Sequence, residues 1–323
     1  MKSPFQLRHR LLGAGLMLLA GTVQAADYPT QPIALVVPFV AGGMTDVLAR
    51  QLAKTMQKSL GQPVVVENRP GAGGIIGAEK VARSRPDGYT LMVTTTAHVV
   101  NPAITKQLPY NTERDFAPIA MLASTPNVLV VNPAVPAKNL QDLLAYARRT
   151  GSVSYGSAGT GGTTHLSGAL LARRTGAPLL HVPYKGTAAA VNDLLGGQIQ
   201  ASFVDALTAV KYIQAGKLNA IAVTTKNRNA MLPNVPTIAE QGVAGYETEI
   251  WIGFYAPAGT PPDLVARLNK LAVNSMNESG FKDTLLQQGT TPGHMAVPEF
   301  RSFVSAEIRK WAGIVKDAHI EAQ

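Results

Sequence analysis

IALVVPFVAGGMTDVLARQLAKTMQKSL, residues 33–60, followed by PVVVE at 63–67, decides the fold class of this chain. Ile33 to Val37 is a continuous apolar run of the kind buried in a parallel sheet. Leu48, Leu52, Met56 and Leu60 then recur every fourth residue, widened by Val47, Ala49 and Ala53, so an amphipathic helix follows. Pro63 to Glu67 reads as the next strand. One strand–helix–strand unit of this kind crosses over right-handed and builds a parallel sheet. Between its first strand and its helix stands Pro38-Phe39-Val40-Ala41-Gly42-Gly43-Met44-Thr45-Asp46. A strand that ends in small residues and opens a helix leaves the first helical amides unpaired, at the positive end of the helix dipole. A carboxylate or phosphate fits there.

The same arrangement returns further on. Ser152 to Tyr155 reads as a strand, Gly156-Ser157-Ala158-Gly159-Thr160-Gly161-Gly162-Thr163-Thr164-His165 as a second glycine-rich turn, and the next stretch to Arg174 as a helix. Around these units the alternation continues. A turn at Asn68 to Gly74, a short helix to about Ala82 and a strand from Tyr89 to Thr95 close the first block. A strand over Asn127–Val131, a helix over Asn139–Arg149, and strands near Leu179–Val182, Ile199–Val204 and Leu218–Thr224 make the second. Trp251 to Tyr255 is a further strand, and the remainder is mostly helical, including Pro262–Met276 and Pro298–Ala318. With 323 residues the chain exceeds one typical domain. Two α/β blocks, each with a glycine-rich turn at the carboxyl end of a strand, imply two lobes that close on one ligand from two sides.

Composition narrows the function. The first residues carry Lys2, Arg8 and Arg10, an apolar run from Leu11 to Val23, and Val23-Gln24-Ala25 before Ala26, the pattern of a secretory leader cut after Ala25. That run is shorter than the ~20 residues a membrane span needs. Cysteine is absent, which removes disulfides, thiol nucleophiles and an acylated lipoprotein anchor, so an exported chain would diffuse in the periplasm. The formal charge of +9, three units of it in the leader, is scattered without stacking aromatics, so nucleic acid is not an expected partner. No histidine pair has metal-ligand spacing, and neither a metal nor a cofactor is expected. Neither turn carries the lysine of a P-loop, and Gly71-Ala72-Gly73-Gly74-Ile75-Ile76 places Ile76 at the third glycine of a dinucleotide fingerprint. A hydrolase would use Ser157 and His165, but the surrounding residues are not a nucleophile elbow.

Holding an anion is therefore the expected chemistry. Thr45, Ser157, Thr160 and Thr163 are candidate donors beside the amides of Gly42, Gly43, Ala158 and Gly159, although helix capping accounts equally well for Thr45, Thr163 and Thr164. Thr94 to His98 and Tyr184-Lys185-Gly186 also follow strands. Asp205 either accepts from a ligand amine or hydroxyl or caps the following helix.

PFVAGGMTD (38–46), VVVENRPGAGGIIGAEKVARSRPDGYTL (64–91), GSAGTGGTTHL (156–166), VPYKGTAAAVNDLLGGQI (182–199) and AGKLNAIAVTT (215–225) together resemble the tripartite tricarboxylate transporter substrate-binding proteins, the TctC or Bug family. The resemblance runs from about Tyr28 to the last helix. Met44, and FVDALTAV at 203–210, depart from the common pattern. The resemblance implies an α/β type II periplasmic-binding-protein fold, two Rossmann-like lobes with a ligand cleft between them. It carries ligand-binding roles onto Phe39, Ala41, Gly42, Gly43, Thr45 and Asp46, onto Ser157, Ala158, Gly159, Thr160 and Thr163, and onto Thr96 and Asp205. It further implies a small organic acid as ligand, subunits of a tripartite tricarboxylate-type membrane transporter as partners, no direct membrane anchor and a monomeric, non-enzymatic receptor. A periplasmic enzyme acting on an acidic substrate, or an orphan receptor reporting to a sensor kinase, are the alternatives. The lobes are expected at 26–124 with 251–323, and at 125–250.

Overall fold

The computed structural model describes residues 28–322, so the leader and its cleavage after Ala25 lie outside the described residues. Eleven strands and ten α-helices follow one another there in the order β1 (Ile33–Val37), α1 (Met44–Leu60), β2 (Val64–Asn68), α2 (Ile75–Ala82), β3 (Thr90–Thr95), α3 (Ala97–Ile104), β4 (Phe116–Thr125), β5 (Asn127–Val131), α4 (Leu140–Thr150), β6 (Val153–Ser157), α5 (Thr163–Thr175), β7 (Leu179–Pro183), α6 (Thr187–Leu195), β8 (Ala201–Asp205), α7 (Ala206–Gln214), β9 (Asn219–Val223), β10 (Ile250–Pro257), α8 (Pro262–Met276), α9 (Ser279–Gln287), β11 (Thr291–Pro292) and α10 (Val297–Asp317). No helix among them is long and apolar enough to cross a membrane.

They form two sheets, β11-β4-β10-β3-β1-β2 and β7-β6-β8-β5-β9. The alternation of side chains along each strand divides the core into layers. In β1, Ile33, Leu35 and Val37 point to the layer under α1 and α8, while Val36 joins the opposite layer. In β5, Val128 and Val130 face α6 and α7, whereas Leu129 and Val131 face the layer that continues into Trp251, Phe300 and Trp311 of the first sheet. One apolar layer thus runs through both lobes, with α10 touching α3 and α5.

Chain direction places the functional edge. β1, β2 and β3 are parallel, β10 opposes β3, and β4 opposes β10, so the carboxyl ends of β1, β3 and β4 share an edge with the start of β10. In the second sheet the carboxyl ends of β6, β7, β8 and β9 share an edge with the start of β5. The two crossings between sheets, through Pro126 and through residues 224–249, join these same edges. The lobes therefore meet edge to edge, with both glycine-rich turns on the facing sides.

The segment 96–125, given no element by its sequence pattern, holds α3 and β4. Pro102 lies inside α3, and β4 is buried along most of both faces, so neither shows a clean period. Pro118 is tolerated in β4 because β11 pairs only with Ala123 and Ser124, leaving the outer side of Pro118 without a strand partner. The strand expected from Ile199 begins at Ala201.

Candidate functional site

Both turns are built on one local plan. Gly43 and Gly162 are the residues before the helices, extended at φ −79°, ψ 169° and φ −72°, ψ 162°. Gly42 and Gly161 precede them at φ +87° and +77°, where a side chain would be strained. Each of these glycines donates its amide to the side chain four residues on: Gly42 to Asp46 Oδ2 at 3.0 Å, Gly161 to His165 Nδ1 at 3.0 Å. The first helical bonds run from Val47 N to Gly43 O and from Leu166 N to Gly162 O. The amides of Met44, Thr45 and Asp46, and of Thr163, Thr164 and His165, thus have no helical acceptor.

What braces each turn differs. Arg50 donates to both oxygens of Asp46, at 2.8 and 3.0 Å, and Asn68, at the end of β2, donates to Asp46 Oδ1 at 3.0 Å and to Phe39 O at 3.1 Å. The Arg50 bonds, with those from Gly42 and Asn68, hold the Asp46 carboxyl at about 2. In the second turn His165 stacks on His181 of β7, ring centroids 3.8 Å apart and 18° from parallel. His181 Nε2 lies 2.6 Å from Ser157 Oγ, which accepts from Gly159 N at 3.2 Å; Ala158 N donates to Thr164 Oγ1 at 3.0 Å. Burial pushes both imidazoles down to about 4, and for His181 the neighbouring His165 adds to it, so the pair is neutral near pH 7.

The residues expected to hold ligand therefore divide. Ala41, Gly43, Ala158 and Thr160 are exposed at the mouths of the turns, and Thr163 is half-buried. The amides of Gly42, Ala158 and Gly159 already have acceptors inside their own turns, which corrects their expected role as free donors. Asp46, Thr45 and Ser157 are buried, and Asp46 and Ser157 spend their polar atoms on the turns. Phe39 packs its ring toward Gly74. Thr96, expected at the cleft, is instead 0% exposed: Trp251 N donates to its hydroxyl at 2.8 Å, tying α3 to the start of β10. Asp205 is the cap of α7, accepting from Thr208 N at 2.9 Å. Lys185 is exposed behind the second turn, between Tyr184, whose amide donates to Ser157 O, and Gly186, whose amide donates to Ala158 O. His98 is packed among Tyr110, Phe116 and Tyr255, and burial takes it to about 3.

The hydrolase pairing fails on geometry. His165 Nδ1 is occupied by Gly161, Ser157 bonds His181 instead, and the hydroxyl is closed off from the cleft. Among the described residues no group of three His, Asp or Glu is placed to hold a metal. His181 is the residue that sequence reading missed. Its signal is tertiary, set by the parallel register that puts His181 beside Tyr155 and Pro183 beside Ser157.

Two cavities lie away from the turns. One of about 570 Å³ sits behind the first lobe between α8, α10 and the end of β10, and one of about 270 Å³ sits at the crossing between lobes, lined by Glu249 and Thr290. Gly161 of the second turn lies against Ile104 of α3, so the two sheets' helices meet there.

Residues 48–320 match the family model described as tripartite tricarboxylate transporter family receptor. Protein BugT of Bordetella pertussis is 38% identical over 302 residues, 93% of this chain and 93% of that protein. Among solved structures, Rpa4515 of R. palustris with adipate superposes with a TM-score of 0.79 at 35% identity, covering 92% of this chain and all of that one. MatC from Rhodopseudomonas palustris with bound malate gives 0.74 at 32% identity, covering 89% of this chain and all of that one.

Proposed function

The chain belongs to the tripartite tricarboxylate transporter receptor family, a family of binding proteins rather than enzymes, and from that premise we propose that it is a periplasmic receptor that closes its two lobes on a small carboxylate and delivers it to a tripartite membrane transporter. The observation that carries this reading is the pair of helix N-termini on facing sheet edges, each offering amides without helical acceptors. Adipate and malate, bound by the two solved relatives, are both dicarboxylates and are the first ligands to try. The binding surface is the backbone of residues 43–46, 160 and 162–165 with the Thr160 and Thr163 hydroxyls, the lobes being 26–124 with 251–323, and 125–250.

Thermal unfolding of the mature chain, refolded to strip any retained ligand, against mono-, di- and tricarboxylates, amino acids and aromatic acids tests it. Ligand at 100 times its Kd stabilises by ~2.7 kcal/mol, a shift of several degrees at this size. A shift confined to acids of one class supports the receptor and names its ligand. No shift with any acid overturns the reading.

A further inference from the structure

His181 joins two of the side-chain braces under the second turn, the one through Ser157 and the one through His165. Its Nε2 meets Ser157 Oγ at 2.6 Å, and Ser157 is fully enclosed and accepts from Gly159 N. Its ring lies flat on His165, whose Nδ1 accepts from Gly161 N. On its other neighbour the Tyr155 ring stands 5.2 Å away, and the Tyr155 hydroxyl donates to His165 O. Removing the imidazole nitrogen leaves the Ser157 proton only the Gly159 carbonyl, at 3.2 Å, as acceptor. Removing the ring frees His165 to swing from Gly161.

We propose that His181 is a positioning residue for anion capture: through Ser157 and His165 it fixes Gly159 and Gly161, and so sets the direction of the Thr160, Thr163 and Thr164 amides. This rests on the receptor reading above. A turn held in its binding geometry before ligand arrives loses less freedom on capture, and affinity rises accordingly.

The test compares wild type with His181→Phe, which keeps a ring over His165 but removes Nε2, His181→Gln, which returns a polar group within reach of Ser157, and Ser157→Ala. Without any ligand, the Gly159 amide in His181→Phe should exchange with solvent roughly tenfold faster, return toward wild type in His181→Gln, and leave the Gly42 amide in the other lobe unchanged. With adipate and malate as probes, His181→Phe should bind roughly tenfold more weakly, His181→Gln within about threefold, and His181→Phe with Ser157→Ala no more weakly than Ser157→Ala alone. Unchanged Gly159 exchange, equal losses in the Phe and Gln variants, or additive losses in the double variant overturn the proposal. Should wild type bind neither acid, the variants are compared with whichever acid of the panel above shifts unfolding; the receptor reading falls only if none does, and the exchange measurement decides the brace in either case.

Discussion

The two glycine-rich turns share a backbone and differ in what holds it. Gly42-Gly43-Met44-Thr45-Asp46 and Gly161-Gly162-Thr163-Thr164-His165 place the same stray amide against the third residue of a helix, and each helix is supported from the strand next to its own. That support is Asn68 of β2 in one lobe and His181 of β7 in the other. The first turn uses a carboxylate whose charge Arg50 offsets; the second uses an uncharged aromatic stack. A helix start of this build thus needs an acceptor for its stray amide, and that acceptor is either a carboxylate with an arginine beside it or a neutral imidazole.

The comparison breaks most readily at Asp46. Asp46→Ala removes the common acceptor of Gly42, Arg50 and Asn68, leaving Gly42 N–H to solvent and Arg50 only its bond to Asn68, so chemical unfolding should show a loss of about 2 kcal/mol carried by the hydrogen bonds of the buried carboxylate. An intact stability curve would mean that Asp46 does not hold its turn. Exchanging the acceptor type sharpens the point: His165→Asp keeps an acceptor for Gly161 but adds a charge with no arginine beside it. Repulsion of ~1–2 kcal/mol across a partly solvated site should weaken carboxylate binding about tenfold, measured by calorimetry.

Acid should separate the turns. Asp46 sits at about 2 against an ordinary 3.8, so its contribution is complete above about pH 4 and is lost as pH falls toward 2. His165 and His181 sit at about 4 against 6.5, so the unfolded chain takes up protons first and the stability they contribute is lost between about pH 6.5 and 4. Amide resonances followed from pH 7 to 3 should move at Gly161 before Gly42; the reverse order would contradict the assignment of the braces. The smallest effect belongs to the glycines. Gly42→Ala meets nothing nearby and should cost about 1 kcal/mol of backbone strain, while Gly161→Ala should cost more because its new methyl meets Ile104.

Much of this was legible in the sequence because the governing patterns are local. The apolar run of β1, the four-residue spacing of α1 and the paired glycines each lie within one element and its neighbour. The braces were not, because they depend on which strand lies beside which. Nothing in Leu179 to Tyr184 says that His181 faces Ser157; the register of β6 with β7 does. Thr96 and Asp205 were placed at the right sheet edges, yet their side chains turn to Trp251 and to the α7 amides. A polar residue after a strand has local acceptors and donors as near as any ligand.

The position of β10 has a consequence for how the chain assembles. It lies between β3 and β4 in the first sheet, but its residues, 250–257, follow the whole of the second sheet in sequence. A growing chain can therefore complete β5 to β9 from one continuous segment, while β4 has no bridge to β3 until β10 arrives and α10 covers it. Contacts of such long sequence separation carry the larger loop-closure cost, so we expect the sheet built from one continuous segment to close before the sheet that waits for β10.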